Sequence, residues 1–248
     1  DPRKGMGHAL LASPVGSDRV DYRVSNFDLL EDQVFVASAL LDAFEVTGSR
    51  LYYDRALELA ETTVQRFWDD QGGGFFDTAR DAAARQGTLA MTRKAFQDSP
   101  TPGGNPVAAL VLDRLAHLAE RPDFRDKAEV TLDLFASKAA EYGLFAATYA
   151  LALVNHFRPP VEVVVVGGST DARTRELVAT ANRTARAGKR VLVFEPDAVK
   201  NGSLPPGLSA TLPHLPLDGN PVALVCVGTS CQPPVGNADA LKSAIEGR

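Results

Sequence analysis

Three short stretches hold residue types and spacings that could do chemistry. The first is "NFDLLEDQVF", where Asp28, Glu31 and Asp32 precede an apolar run of helical period. Asp28 and Glu31 have the spacing of a capping box, with Asp28 as N-cap and Glu31 reaching back to its backbone N–H. Asp32 is left over, turned about 100° from Glu31 around the helix. Paired carboxylates can act as acid and base on a sugar when the substrate lies between them. Glu31 and Asp32 are therefore candidate catalytic groups as well as helix-start residues.

The second stretch is "FWDDQGGGFFDT". Gly72, Gly73 and Gly74 permit positive φ and close backbone approach, and Trp68, Phe75 and Phe76 flank them. Aromatic faces beside polar groups suit carbohydrate rings, and they equally bury the end of a helical hairpin. Trp68 and Phe76 are the candidate substrate contacts. The third is "RKAFQDSPTPGGNPVAAL", in which Asp98 and Asn105 bracket a Pro/Gly loop. Asn105 can cap the following helix, with Pro106 at its first position, where a missing N–H costs nothing. The polar stretch before it is longer than a hairpin turn requires. Asp98 is the leading candidate for a ligand contact or acid/base group, with Asn105 holding a hydroxyl or its own loop.

Two further motifs carry weaker signals. "VEVVVVGGSTDARTREL" reads as strand, turn and helix, and Glu195 ends the next strand. It lacks G-x-G-x-x-G and any Gly-Lys-Ser/Thr, so it reads as a turn capped by Ser169 or Thr170, with anion or dinucleotide binding as a minor alternative. In "CVGTSCQPPV", Cys226 and Cys231 have neither redox C-x-x-C nor zinc-site spacing. They read as a buried strand cysteine and a loop cysteine, with a local disulfide or a thiol function as alternatives. His8, His117 and His156 are isolated along the chain; His117 and His156 lie in helical runs and read as satisfied surface or core residues. Neither a metal nor a cofactor is expected.

Two kinds of chain must position these residues. Before Pro159 the pattern is helical and Ala/Leu-rich; after it, β-branched runs alternate with helical segments, and Pro159-Pro160 cannot continue a helix. The first part contains a repeat: residues 36–57 resemble 107–132 at an offset of 71, then 72, each reading helix, short turn, helix. Residues 1–20 read as a loop and the remnant of a third unit. A period near 71 is too long for one tetratricopeptide unit of about 34 residues, which favours a closed toroid of hairpins over an open solenoid. The second part reads as strands at 162–166, 190–194 and 222–227, with helices near 171–187 and 238–245 and a long Pro/Gly-rich connection at 196–220. The expected fold is mainly α: helical hairpins of an incomplete (α/α)6 toroid over residues 1–158, then a small α/β domain over 159–248 with a short parallel sheet.

Bulk properties narrow the classes. The 248 residues are 45% hydrophobic and 23% charged, ordinary for a globular protein. A formal net charge of -5 argues mildly against nucleic-acid or anionic-membrane partners. No apolar run approaches the roughly 18 residues of a membrane span, no signal peptide is read, and a cytoplasmic location is expected.

Four motifs, in order, resemble the C-terminal half of the thioredoxin-domain-containing family that includes spermatogenesis-associated protein 20. They are Leu30-Glu31-Asp32; Gly73-Gly74-Phe75-Phe76 with Thr78; Lys94, Asp98, Pro102, Gly104 and Asn105; and Val225-Cys226 with Cys231 and Pro234. Gln33, Gly103 and Pro106 depart from the family pattern, which has Tyr, Ser and Ser there. The resemblance covers most of residues 20–248. It implies an N-terminal thioredoxin-like domain and early hairpins as missing partners, and a six-hairpin toroid similar to N-acylglucosamine 2-epimerases. The toroid cannot close from this chain alone, which begins at Asp1 and reads as a fragment. The two histidines of sugar 2-epimerases have no motif-matched counterpart, so epimerase catalysis does not carry over. The expected function is sugar binding or conversion, epimerase/isomerase- or glycosidase-like, with a small carbohydrate ligand. The alternative is a non-catalytic interaction or redox-associated scaffold acting with the thioredoxin-like domain.

Overall fold

Apolar residues at alternating spacings of three and four generate the helices. In α1 (Leu30–Thr47) the buried positions are Leu30, Val34, Ala37, Leu41 and Phe44; in α2 (Arg50–Phe67) they include Tyr53, Ala56, Ala60 and Phe67. Each set forms one stripe along its helix. α3 (Gly104–Leu118) and α4 (Pro122–Ala139) repeat the arrangement, and Pro122 takes the first position of α4, where proline is tolerated. A 3-10 segment, Ala140–Ala146, leads into α5 (Ala147–Phe157). These assignments come from a computed structural model describing residues 3–14, 20–25, 27–81, 93–202 and 204–247. The described residues are mainly α, about 54% helical, with a small mixed sheet. No helix among the described residues is long and apolar enough to cross a membrane.

The N-terminal segment differs from the loop and helical remnant expected there. β1 (Ala9–Pro14) pairs antiparallel with β2 (Val20–Ser25), setting Leu10 opposite Val24 and Ala12 opposite Tyr22. Such pairs favour a pleated ribbon over a helix. Residues 1–2 and 15–19 of that expectation lie outside the described residues.

The chain divides into two compact units. One comprises residues 1–39, 55–116 and 122–153; the other comprises 40–54, 117–121 and 154–248. The second holds a four-stranded sheet of order β4-β3-β5-β6, formed by β3 (Val161–Val166), β4 (Lys189–Phe194), β5 (Val222–Val227) and β6 (Ser230–Cys231). β3 and β4 are parallel and joined through α6 (Ala172–Arg183). β5 runs antiparallel to β3, which corrects the expected parallel sheet. The long connection is the cause. It folds into α7 (Pro196–Lys200), α8 (Pro206–Ser209) and a 3-10 turn at Leu212–His214, and it brings the chain back to the C-terminal end of β3, where β4 also ends, so β5 runs the other way. α6 is capped by Asp171, whose side chain accepts from the Arg173 N–H, rather than by Ser169 or Thr170.

The central strand β3 is buried on both faces, as its run of valines requires. Val161, Val163 and Val165 pack with α6 and α9 (Ala238–Glu246) through Leu177, Leu241 and Ile245. The other face presents three cross-strand rows: Phe194–Val166–Val222, Leu192–Val164–Leu224, and Arg190–Glu162–Cys226–Cys231. Cys226 and Cys231 are joined by a disulfide across the β5–β6 hairpin. This replaces the expected pair of unlinked cysteines, because the turn at 228–229 sets the two directly opposite.

Gly48 terminates α1 for two reasons. Its φ is +64°, and its N–H returns to the Phe44 carbonyl at 2.7 Å. A Cβ there would lie 2.5 Å from the Val193 carbonyl oxygen and 2.9 Å from the Phe194 ring. Gly48→Ala is therefore expected to destabilise the chain by about 1–3 kcal/mol, from the positive φ and the overpacking together. A urea titration reading the midpoint checks it; an unchanged midpoint contradicts the close approach.

Candidate functional site

The sequence candidates lie on two loops, residues 68–81 and 93–103, and on the helix starts beside them. Loops of this length leave many backbone donors and acceptors without regular partners, and buried ones must be satisfied. Side chains do this here. Asn105 is fully buried: its Oδ1 accepts from the Phe75 N–H at 2.7 Å, and its Nδ2 donates to the carbonyls of Phe75 and Ala95, both at 2.9 Å. Its amide thus ties both loops to the first turn of α3. The expected helix cap at Asn105 is corrected, since α3 starts at Gly104 and the side chain reaches across to Phe75 and Ala95.

Asp98 works in the same way. Oδ1 accepts from the Gly103 N–H and Oδ2 from the Thr148 N–H, each at 2.9 Å, while the Asp98 N–H donates to the Phe145 carbonyl at 2.7 Å. Asp98 closes its own Pro/Gly loop and satisfies an early donor of α5. Beside it, Phe96 stacks on Phe135 at 4.6 Å and meets Tyr142 edge-on at 5.0 Å, anchoring the loop.

The glycine loop is pressed against α4. Gly73 and Gly74 have φ of +67° and +71°, and a Cβ on either would strike Val130 at 2.4 Å or Leu134 at 2.8 Å. Trp68 pairs with Phe75 through a β-bridge and an edge-on ring contact at 5.1 Å, with the Lys127 ammonium 5.4 Å from its ring. Phe76 is half-buried beneath the Lys94 ammonium at 5.0 Å. Lys94 also donates to Asp69 Oδ2 at 2.6 Å and to the Gly73 carbonyl. The Lys94 hydrogen bond, with backbone N–H donors from Gln71 and Gly72, lowers the Asp69 carboxyl from 3.8 to about 2.

At the start of α1 the acids separate. The helix begins at Leu30, and Asp28 Oδ1 accepts from Arg66 at 2.7 Å. Arg66 is 8% exposed, and each of its three guanidinium nitrogens is bonded: to Asp81, to the Lys4 and Phe27 carbonyls, and to Asp28 with Asp81. Asp81 is held below the usual carboxylate range by the Arg66 hydrogen bond. Asp32 is paired with His8 Nδ1 at 3.1 Å. Among the described residues the Glu31 side chain has no hydrogen-bond partner. Partial burial, then the charges of Asp77 and Asp32, hold its carboxyl above the ordinary value. The absent Cβ of Gly104 would lie 3.5 Å from Glu31 Cγ, so Glu31 stands beside the start of α3. Asp77 joins the two loops to α1: its carbonyl accepts from Leu30 at 3.0 Å and its Oδ1 from Ala95 at 2.7 Å.

Asp77 and Asp32 are the acids whose charges act on Glu31, while Asp98 and Asn105 bond backbone groups of the loops and of the Thr148 helix start. Arg66 did not stand out in the sequence, and Gln33 stood out only as a departure from the family pattern. Gln33 is fully buried, accepting from the Met6 N–H at 2.7 Å and donating to the Met6 carbonyl at 2.9 Å. A polar residue within an apolar helical stripe was the available signal for both. A polar cleft of about 420 Å³ is lined by Arg3, Gln65, Arg66, Arg80 and Asp81. Among the described residues no three His, Cys, Asp or Glu side chains are grouped to hold a metal ion.

Two outcomes follow from this geometry. Asn105→Ala leaves the buried Phe75 N–H and carbonyl without their partners, and a loss of about 2–4 kcal/mol in the urea-derived stability is expected. For Asp69 the folded carboxyl is depressed, so the pair stabilises the fold above about pH 4, and that contribution disappears as the pH falls towards 2. Asp69→Asn should be less stable than the parent at pH 6 and equal to it near pH 2. Parallel lines across that range in chemical denaturation would contradict the assignment.

No protein-family model matches the chain. The chain is 27% identical to human (Homo sapiens) spermatogenesis-associated protein 20 over 220 residues, covering 87% of this chain and 27% of that protein. The mouse (Mus musculus) protein of the same name is 34% identical over 109 residues, covering 44% of this chain and 13% of that protein. The rat (Rattus norvegicus) protein is 28% identical over 169 residues, 68% of this chain and 21% of that protein. The chain therefore spans about a quarter or less of the length of these relatives. Its similarity, at 27–34% identity, is to proteins named spermatogenesis-associated protein 20, a name that states no activity.

Proposed function

We propose that this chain is the carbohydrate-facing part of a longer sugar-binding or sugar-converting protein, with its helical hairpins as segments of an α/α toroid and Glu31 as the proton-handling acid. The observation that supports the reading is the state of Glu31. A carboxyl that is raised by partial burial and two neighbouring acids, and whose side chain has no hydrogen-bond partner among the described residues, is in the direction a general acid needs. Asp77 and Asp32 supply the companion carboxylates, and the half-buried Phe76 and Trp68 supply apolar surface nearby along the chain.

A second reading, a non-catalytic scaffold acting with further domains, is favoured by Asp98 and Asn105, which are tied to backbone groups of their own loops. One panel separates the two. Mono- and disaccharides at millimolar concentration, scored by thermal shift, should raise the melting temperature of the chain by about 2–5 °C for at least one sugar. Glu31→Gln should remove that response while leaving the unliganded midpoint near its starting value. A panel with no shift for any sugar sinks the carbohydrate reading and leaves the scaffold.

A further inference from the structure

The second unit contains a polar row in an otherwise apolar sheet face, and it ends on a disulfide. Arg190, Glu162, Cys226 and Cys231 are consecutive neighbours across β4, β3, β5 and β6. Residues directly opposite in a ladder share a face, with Cβ atoms about 4.5–5.5 Å apart. The row runs from inside to outside: Glu162 is 5% exposed, Cys226 is 9% exposed, and Cys231 is exposed. A buried carboxylate beside the apolar Leu192–Val164–Leu224 row is costly unless it is paired. Glu162 Oε2 is 3.0 Å from His117 Nε2, while Oε1 is buried with no hydrogen-bond partner and has the Arg190 guanidinium 3.9 Å away. His117 is partly exposed, so it connects Glu162 to solvent. The groups facing this pair are Arg190 and Glu120; the Glu162 hydrogen bond is the main cause that raises the His117 pKa.

We propose that Cys226–Cys231 is a thiol–disulfide exchange site, attacked at the exposed Cys231 sulfur, with Glu162 and His117 carrying the proton of the buried Cys226. The reductant is a thiol compound. Its thiolate attacks Cys231 Sγ, the bond to Cys226 breaks, and the electron pair leaves on Cys226 Sγ. That sulfur takes a proton passed from His117 through Glu162, and solvent reprotonates His117. A second thiolate attacks the partner sulfur of the mixed disulfide and releases Cys231. Two partner thiols become one disulfide, and the protein disulfide becomes two thiols. In reverse, Cys231 attacks a partner disulfide and Cys226, losing its proton to Glu162, resolves it. The accessible cysteine is the attacking one in such pairs, and the buried one resolves.

This exchange chemistry is independent of the carbohydrate reading. Its test uses the whole chain with dithiothreitol and oxidised glutathione as probes, followed by mass after thiol trapping. Native chain should be reduced by dithiothreitol without denaturant. Cys226→Ser, which leaves Cys231, should form a glutathione adduct at least about ten-fold faster than Cys231→Ser, which leaves the buried sulfur. Glu162→Gln should slow reduction about ten-fold or more and flatten its pH dependence, and Glu162→Asp should restore part of both. If Glu162→Gln does not fold, His117→Gln, at a partly exposed position, gives the same pH readout. Equal adduct rates for the two single-cysteine variants, reduction only in denaturant, or parental pH profiles in both proton-path variants would each overturn the proposal.

Discussion

The need to satisfy buried backbone polar groups in two long loops governs the first unit. Residues 68–81 and 93–103 are too irregular to pair with each other as a ladder, yet parts of them are buried as deeply as any helix. Asn105 resolves this with one amide, matching a donor and an acceptor of Phe75 and an acceptor of Ala95. Asp77, Asp98 and Lys94 complete the set from within the loops. Once these bonds exist, the positions of the aromatic residues and of the acids at the start of α1 follow from them.

Arg66 plays the corresponding part for the N-terminal segment. Its planar guanidinium is the one side chain with enough fixed donors to join two carboxylates and two carbonyls in one plane. The carboxylate of Asp28, legible as a helix cap, is used here instead. Partial burial, then the charges of Asp77 and Asp32, raise the carboxyl of Glu31 beside it.

The second unit obeys a different constraint. A six-residue strand buried on both faces should be wholly apolar, and β3 breaks the rule once, at Glu162. That exception is offset by His117 and Arg190 and lies in the row that the disulfide closes. The valine run in the sequence announced a buried strand, but not which neighbours would flank its single acid.

Particular residues mark the limit of what could be read along the chain. The hairpins at 30–67 and 104–139, the strand at 161–166 and the helix closing the chain were legible because burial periodicity is local. The Pro159-Pro160 break was legible for the same reason, since backbone sterics act within a few residues. The direction of β5 and the pairing of His117 with Glu162 were not, because each depends on where a distant segment returns. The roles of Asp98 and Asn105 divide in the same way. Their types and the loop around them were set by sequence, while the choice between facing a ligand and bonding a backbone was made by partners 30 and 50 residues away. Local periodicity and sterics therefore determined the elements of this protein, and long-range hydrogen bonding in the tertiary structure decided which polar side chains became struts of its backbone.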